Sequence, residues 1–130
     1  MRYLLDTGIF LWSLHSVERL NSESQRLLAE RKDVYLSSVT SWEIVIKVGL
    51  GKLSLRRPPR DLLPEAMSTF SLQPLPITHL HTLEVEALPR HHKDPFDRLL
   101  IAQAKVENLV LMTADPVFAK YPLEILWCGK

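Results

Sequence analysis

Short apolar runs recur along this chain, and segments with apolar residues at helical spacing lie between them. The runs occupy residues 3–5, 34–37, 72–77, 109–113 and 123–127. The intervening segments predict helices at residues 7–15, 22–32, 39–50, 60–70, 78–88, 95–108 and 114–120. Two prolines, Pro74 and Pro76, restrict the 72–77 run to a short or edge strand. Because strands alternate with helices, we expect an α/β fold with a central parallel sheet of about five short strands flanked by helices.

The length and composition predict a single domain over residues 1–130. Of the 130 residues, 46% are hydrophobic and 24% are charged, which is ordinary for a globular domain with its own core. The longest apolar stretches fall well short of the roughly 20 residues that span a bilayer. The apolar run in residues 1–6 ends at Asp6, which is too early for the apolar segment of a secretory signal. The single cysteine, Cys128, excludes an internal disulfide. We therefore expect a cytoplasmic protein without a membrane segment.

Four acidic residues follow the apolar runs or open the helices after them. Asp6 and Asp115 come just after predicted strands, whereas Glu43 and Asp97 lie near the starts of predicted helices. The carboxyl ends of parallel strands share one edge of a sheet, so these four carboxylates are expected to converge there. Clustered carboxylates repel one another unless a cation lies between them. The set therefore predicts a divalent-metal site.

Each acid also has a structural interpretation as a helix cap. Asp6, Asp94 and Asp115 fit N-cap positions, and Glu43 fits the last position of a capping box that begins at Thr40. Such caps are common and contribute about 1 kcal/mol each. Capping does not require the acids to share one edge of the fold, whereas a metal site does. A helix N-terminus also holds a carboxylate rigidly for a hard cation, and carboxylate ligands indicate Mg²⁺ or Mn²⁺.

The remaining candidate ligands and aromatic residues do not predict a competing site. Cys128 is alone, and His91 and His92 form a pair without spaced partners that we expect to be exposed in a loop. No histidine is therefore assigned to acid–base chemistry. Trp12 and Trp42 are interpreted as core or interface residues rather than base-stacking platforms. The sequence after the first strand lacks the glycine-rich turn of a nucleotide-binding module.

Four stretches of the sequence resemble the motifs of a known family, the PIN domain. They are Leu4-Leu5-Asp6-Thr7, Ser38 with Ser41-Trp42-Glu43, the block from Asp94-Pro95-Phe96-Asp97-Arg98 to Ala104, and Leu111-Met112-Thr113-Ala114-Asp115. Within that family the chain looks most like the VapC-type toxins of bacterial toxin–antitoxin pairs. The similarity extends over essentially the full chain, so the resemblance implies a single PIN domain with a three-layer fold.

The resemblance implies a metal-dependent endoribonuclease whose catalytic and metal-binding acids are Asp6, Glu43, Asp97 and Asp115. It implies Mg²⁺ or Mn²⁺ as the cofactor, with one ion or two left open. It also implies a homodimer and a cognate antitoxin whose tail enters the acidic site. Two alternatives are a non-catalytic PIN-like domain that only binds a partner and a DNA-directed nuclease. The RNA target is not readable, because specificity in compact nucleases comes from surface shape and loops.

Supporting roles are assigned to residues beside these acids. Thr7 and Thr113 are expected to hydrogen-bond the carboxylates or a bound water. Asp94 lies three residues before Asp97, so both can face the site, and Asp94 is assigned as a cap and supporting group.

Basic residues near the acids are candidates for holding the RNA backbone. Lys47 and Arg98 are closest to the acids in sequence. For Lys47, an i,i+4 ion pair with Glu43 is the stronger interpretation. A further basic stretch at residues 52–60 is interpreted as a solvated loop in preference to an RNA or antitoxin contact.

Overall fold

The computed structural model of the chain describes residues 1–30 and 33–130. Its strands are β1 (Tyr3–Leu5), β2 (Val34–Ser37), β3 (Gln73–Leu75), β4 (Val110–Thr113) and β5 (Ile125–Trp127). Its α-helices are α1 (Thr7–His15), α2 (Ser22–Glu30), α3 (Ser38–Gly49), α4 (Pro59–Thr69), α5 (His79–Glu84) and α6 (Pro95–Glu107). Short 3-10 helices occupy Val17–Arg19, Val85–Ala87 and Pro116–Lys120. Among these described residues, no helix is both long and apolar enough to cross a bilayer.

The five strands form one parallel sheet in the order β3-β2-β1-β4-β5. Leu4 of β1 pairs with Tyr35 of β2 on one side and with Leu111 of β4 on the other. Strands β2 and β3 therefore lie on one side of β1, and the later strands β4 and β5 lie on its other side. This order places a topological switch point between β1 and β4, where ligands of α/β proteins bind beyond the carboxyl ends of the strands. The predicted α/β class with five parallel strands is confirmed.

Successive residues of the central strands face opposite sides of the sheet. Leu5 and Met112 pack into one core cluster with α1, α2, α3 and α4. Leu4 and Leu111 pack into a second cluster dominated by α6. The alternation follows from the two-residue period of a strand. Because helices cover both faces, both alternating positions of these strands carry apolar residues, and the polar Ser37 and Thr113 lie only at strand ends. This confirms the three-layer arrangement.

A few elements differ in extent from the sequence prediction. The helix predicted at 78–88 ends as an α-helix at Glu84 and continues as the 3-10 turn Val85–Ala87. The helix predicted at 114–120 is the 3-10 helix Pro116–Lys120, because so short a segment accommodates the tighter turn. The last two residues of the helix predicted at 22–32 lie outside the described residues. The proline-containing strand β3 is at the edge of the sheet, as predicted.

Candidate active site

Asp6 lies at the switch point of the sheet, where β1 ends and α1 begins. It is the N-cap of α1, and its Oδ1 accepts the backbone N–H of Ile9 at 2.7 Å. Its Oδ2 accepts the hydroxyl of Thr113 at 2.5 Å, from the end of the neighbouring strand β4. Only 6% of Asp6 is exposed. The cap therefore fixes a carboxylate at the place where ligands bind in this class of fold.

The charge of Asp6 is poorly compensated by its surroundings. Burial raises the pKa of this carboxyl from 3.8 to about 6, and the nearby charges of Asp115 and Glu43 add to the rise. The hydrogen bonds from Thr113 and from the Ile9 N–H lower the pKa, but they do not offset the loss of solvation. A cation beside Asp6 would remove this penalty.

Glu43 is not part of a capping box, which corrects that interpretation. Helix α3 begins at Ser38, and the hydroxyl of Ser37 caps it by accepting the backbone N–H of Val39 at 2.9 Å. Glu43 therefore lies in the second turn of the helix, too far along to bond the free N–H groups at its start. The sequence pattern placed the helix start too late because Ser37 and Thr40 are both good capping residues.

The buried carboxylate of Glu43 is held from two sides. Its Oε1 accepts the hydroxyl of Thr7 at 2.7 Å, and its Oε2 lies 2.5 Å from the Lys47 ammonium. The Thr7 oxygen in turn lies 3.1 Å from the hydroxyl of Thr40. The hydrogen bond with Glu43 raises the pKa of Lys47. The predicted ion pair between Lys47 and Glu43 is thus present, and it forms inside the site rather than on a free helix surface.

Two aspartates lie at the start of α6 and face the same space. Asp94 is the N-cap, and its Oδ1 accepts the backbone N–H groups of Phe96 at 2.9 Å and Asp97 at 3.0 Å. The carboxylate of Asp97 instead points to the ring of His92, with 3.2 Å between Oδ2 and Nε2. The cap thus occupies one oxygen of Asp94 and leaves the side chain of Asp97 for other contacts.

The pKa of Asp97 is raised from 3.8 to about 7. Burial is the largest cause, and the neighbouring charge of Asp94 is the next, whereas the hydrogen bond with His92 lowers the pKa. The first turn of a helix normally favours a carboxylate. At this position burial and like charge outweigh the helix dipole, so Asp97 also lacks a sufficient counter-charge.

The expectation that both histidines are exposed is wrong for His92. Its side chain is 19% exposed, and its Nδ1 lies 2.6 Å from the hydroxyl of Tyr121. His91 is exposed, as predicted. Sequence reasoning missed His92 and Tyr121 as neighbours of the site. The sequence offered one signal for His92. It lies just before α6, so it had to be close to the first turn of that helix, which contains Asp97.

Asp115 completes the acidic set from the far side of the sheet edge. It caps the 3-10 helix Pro116–Lys120 by accepting the backbone N–H of Val117 at 3.0 Å. Its own N–H donates to the hydroxyl of Thr113 at 3.0 Å, the same hydroxyl that donates to Asp6. Thr113 therefore connects two acids of the site, while Asp115 itself is exposed.

Five acids line a single pocket of about 340 Å³, together with Thr7 and Lys47. The acids are Asp6, Glu43, Asp94, Asp97 and Asp115. Within the described part of the chain, however, no group of three or more His, Cys, Asp or Glu side chains is arranged so that it could hold a metal ion. Each carboxylate instead has a hydrogen-bond or ion-pair partner of its own.

The carboxylate oxygens that line this pocket are donors of the kind that a hard divalent cation prefers. Carboxylate oxygens are the ligands that Mg²⁺ and Mn²⁺ prefer. Lys47 is the one lysine or arginine among the described residues that line the pocket, so a single ammonium faces five acids. Burial and repulsion raise the pKa of both Asp6 and Asp97. A divalent ion in this pocket would relieve that repulsion.

Arg98 does not line this pocket, which corrects its assignment as an RNA contact there. Its guanidinium donates to the carbonyl oxygen of Pro89 at 2.8 Å and to the hydroxyl of Tyr121 at 3.2 Å. Arg98 therefore ties the loop before α6 to the helix. The basic residues of the 52–60 stretch are exposed, and Arg57 pairs with a glutamate of α4. This agrees with their interpretation as a solvated loop.

The two tryptophans differ in environment. Trp12 is half-buried, packs against the core and also lines the acidic pocket. The guanidinium of Arg19 lies 4.3 Å from the centre of its ring. Trp42 is 53% exposed and touches Phe96 edge-on, with ring centroids 5.1 Å apart. Of the two predicted environments, core or interface, Trp12 therefore has the core one, whereas the exposure of Trp42 excludes the core and leaves an interface role as the prediction.

Comparison with known proteins assigns the class of this fold and site. The PIN domain model matches residues 3–123, so the chain belongs to the PIN domain family. A curated relative is ribonuclease VapC16 of Mycobacterium tuberculosis, which is 36% identical over 52 residues. That match covers 40% of this chain and 37% of the mycobacterial protein.

Solved structures share the fold over nearly the whole chain. VapBC2 from Rickettsia felis, bound to a DNA fragment from its promoter, aligns with a TM-score of 0.75 and 20% identity, covering 99% of this chain and 100% of that chain. A toxin–antitoxin complex from Klebsiella pneumoniae aligns with a TM-score of 0.66 and 19% identity, covering 96% of each chain. At these identities the likeness shows a common fold.

Proposed function

We propose that this PIN-domain protein is a divalent-metal-dependent endoribonuclease of the VapC type, the toxin of a toxin–antitoxin pair. The observation that supports this most is the pocket at the switch point of the sheet, where five acids face a single ammonium. The partial match to ribonuclease VapC16 supports RNA as the substrate. The proposed catalytic acids are Asp6, Glu43, Asp97 and Asp115, with Asp94 in support.

Asp6 is proposed as the main ligand of Mg²⁺ or Mn²⁺. Its side chain is held by Thr113 and by the Ile9 N–H, so it needs little rearrangement to bind an ion. Asp97 is proposed as the second ligand, and Glu43 and Asp115 complete the coordination of one ion or two. A bound divalent ion supplies neutralisation of the developing phosphoryl charge and lowers the pKa of a bound water.

The other residues of the pocket orient the acids and hold the substrate. Thr7 donates to Glu43 and Thr113 donates to Asp6, so each hydroxyl sets the direction of one carboxylate. The side chain of Lys47 is 40% exposed, so its ammonium can reach an RNA phosphate at the mouth of the pocket. Since Arg98 is engaged elsewhere, Lys47 is the proposed phosphate contact.

Exposed apolar side chains support association with protein partners. On α3, Trp42 and Val45 are 53% and 54% exposed, and on α5, Leu80 and Leu83 are 60% and 71% exposed. Grouped exposed apolar residues are typical of protein interfaces. We propose that the protein forms a homodimer and binds a cognate antitoxin. Light scattering after size-exclusion chromatography tests the dimer, and co-purification with the product of the neighbouring gene tests the antitoxin.

Cleavage of total RNA by the purified protein tests the proposed activity. Cleavage is expected with Mg²⁺ or Mn²⁺ and should stop when EDTA is added. Asp6→Asn should be inactive, and Asp61→Asn, at an exposed position of α4, serves as the matched control with wild-type activity. Cleavage of DNA with RNA left intact would establish a DNA-directed nuclease. A protein that cleaves neither but binds the antitoxin would be a non-catalytic partner-binding domain.

A further inference from the structure

A chain of hydrogen bonds from outside the acidic pocket leads into it at Asp97. Tyr121, just after the 3-10 helix Pro116–Lys120, is 4% exposed, and its hydroxyl lies 2.6 Å from Nδ1 of His92. On the other side of the same ring, Nε2 lies 3.2 Å from Oδ2 of Asp97. Residues distant in sequence thus converge on one carboxylate of the site.

The groups around the Tyr121 hydroxyl decide which way each proton points. The backbone N–H of His92, at 3.3 Å, and Nη1 of Arg98, at 3.2 Å, are donors only. The hydroxyl oxygen accepts both, which leaves its own proton for Nδ1 of His92. A neutral imidazole that accepts at Nδ1 carries its proton on Nε2. Nε2–H therefore donates to the carboxylate of Asp97.

We propose that His92 and Tyr121 are positioning residues that orient the Asp97 carboxylate for metal binding. Tyr121 selects the tautomer of His92, and the hydrogen bond from His92 to Oδ2 fixes the direction of the Asp97 carboxylate. This inference rests on the proposed metal role of Asp97. It assigns a function to two residues that lie outside the acidic set.

The packing around His92 supports a positioning role. The ring of Tyr121 meets it edge-on with centroids 5.4 Å apart, and the ring of Phe118 does so at 6.4 Å. The imidazole is therefore held by contacts as well as by hydrogen bonds. Arg98 acts through Tyr121, because a cationic donor on the hydroxyl oxygen strengthens the bond that this hydroxyl donates. Outer hydrogen-bond partners of metal ligands typically affect metal affinity by 10–100-fold.

Metal affinity and the His92 tautomer together test the inference. Mn²⁺ binding is measured by electron paramagnetic resonance in wild type, His92→Leu, His92→Gln and Tyr121→Phe. His91→Gln is the matched control, because His91 also touches the Tyr121 ring edge-on, at 4.9 Å, but is exposed. The tautomer is read in metal-free protein from long-range proton–nitrogen NMR spectra.

The expected results separate positioning from simple packing. His92→Leu should weaken Mn²⁺ binding by about 10–100-fold, and Tyr121→Phe by about tenfold. His92→Gln should recover most of the affinity, because its amide N–H can replace Nε2–H, and His91→Gln should match wild type. Wild type should show the Nε2-protonated tautomer, and Tyr121→Phe a mixture of both tautomers.

Unchanged affinity in His92→Leu, or an Nδ1-protonated ring in wild type, overturns the positioning role and leaves the proposed function standing. Failure of wild type itself to bind Mn²⁺ removes the proposed function and, with it, the metal role of Asp97. If His92→Leu does not fold, Tyr121→Phe decides, because it removes one oxygen and keeps the buried ring.

Discussion

The two ends of the acidic pocket hold their carboxylates in different ways. Asp6 is 6% exposed, and both of its oxygens accept hydrogen bonds from the elements that meet at the sheet edge. The side chain of Asp97 is 20% exposed, and it is held by one nitrogen of a loop histidine. The sheet edge thus holds a fixed carboxylate, whereas the start of α6 holds a more adjustable one.

The two carboxyls nevertheless share the same electrostatic strain. The pKa of Asp6 is raised to about 6 and that of Asp97 to about 7, although Asp97 is less buried. Burial is the largest cause for both, and the nearby Asp94 is the next largest for Asp97. A cation in the pocket would relieve the electrostatic strain on both carboxyls.

Removing the charge of the fixed carboxylate, Asp6, should have the largest effect. In Asp6→Asn the cap of α1 is kept, because asparagine caps a helix about as well as aspartate. A metal ion contributes several kcal/mol to the transition state, so RNA cleavage should fall about 1,000-fold or more. Single-turnover cleavage rates, with circular dichroism as the check on folding, measure this. An active Asp6→Asn would remove Asp6 from the catalytic set.

The metal-free protein should lose stability as the pH rises from about 4 to about 7. With folded-state pKa values raised from 3.8 to about 6 for Asp6 and to about 7 for Asp97, the folded protein keeps protons that the unfolded chain releases. This stabilising contribution is complete below the unfolded pKa and is lost as the pH passes the folded pKa. The shift of Asp6 corresponds to at most about 3 kcal/mol.

Urea unfolding in EDTA at several pH values measures this loss. Asp6→Asn should flatten the pH profile up to about pH 6, and Asp97→Asn should flatten it up to about pH 7. Stability that rises over the same range in wild type would contradict the poor compensation of both carboxyls.

Divalent ions should stabilise the wild-type protein. At a hundredfold excess over the dissociation constant, Mg²⁺ or Mn²⁺ should raise the free energy of unfolding by about 2.7 kcal/mol through mass action. Asp6→Asn should gain much less, and Asp97→Asn should fall between the two, because other acids can partly replace an adjustable ligand. Thermal unfolding with and without metal tests this order. Equal stabilisation of all three proteins would place the ion elsewhere.

The smallest predicted difference separates Asp97 from its neighbour Asp94. Asp97→Asn should reduce RNA cleavage by about 100-fold or more, because it removes a proposed ligand whose metal contributes several kcal/mol to the transition state. Asp94→Asn should cost less, because asparagine retains the cap of α6. Cleavage rates of the two variants on one RNA substrate measure the difference. The reverse order would show that Asp94 is the ligand and that Asp97 supports it.

Local sequence patterns were sufficient for most of the fold. Each apolar run contains a strand of three or four residues, and most helices carry a start signal nearby. Asp6, Asp94 and Asp115 are the caps that their neighbours predict. Since the chain alternates strands with helices, the carboxyl ends of the strands had to share one edge, and this carried Asp6 and Asp115 into one pocket.

The sequence by itself therefore determined the fold class, the acidic pocket and most of its acids, because these depend on patterns within a few neighbouring residues. Only the tertiary structure decided the partner of each side chain. Thr113 reaches Asp6 across 107 positions, Thr7 reaches Glu43 across 36, and Tyr121 reaches His92 across 29. Such contacts direct His92 toward Asp97 and Arg98 away from the acidic pocket. Burial in the same packing raises the pKa values of Asp6 and Asp97. These features depend on strand order and packing density, which no local pattern encodes.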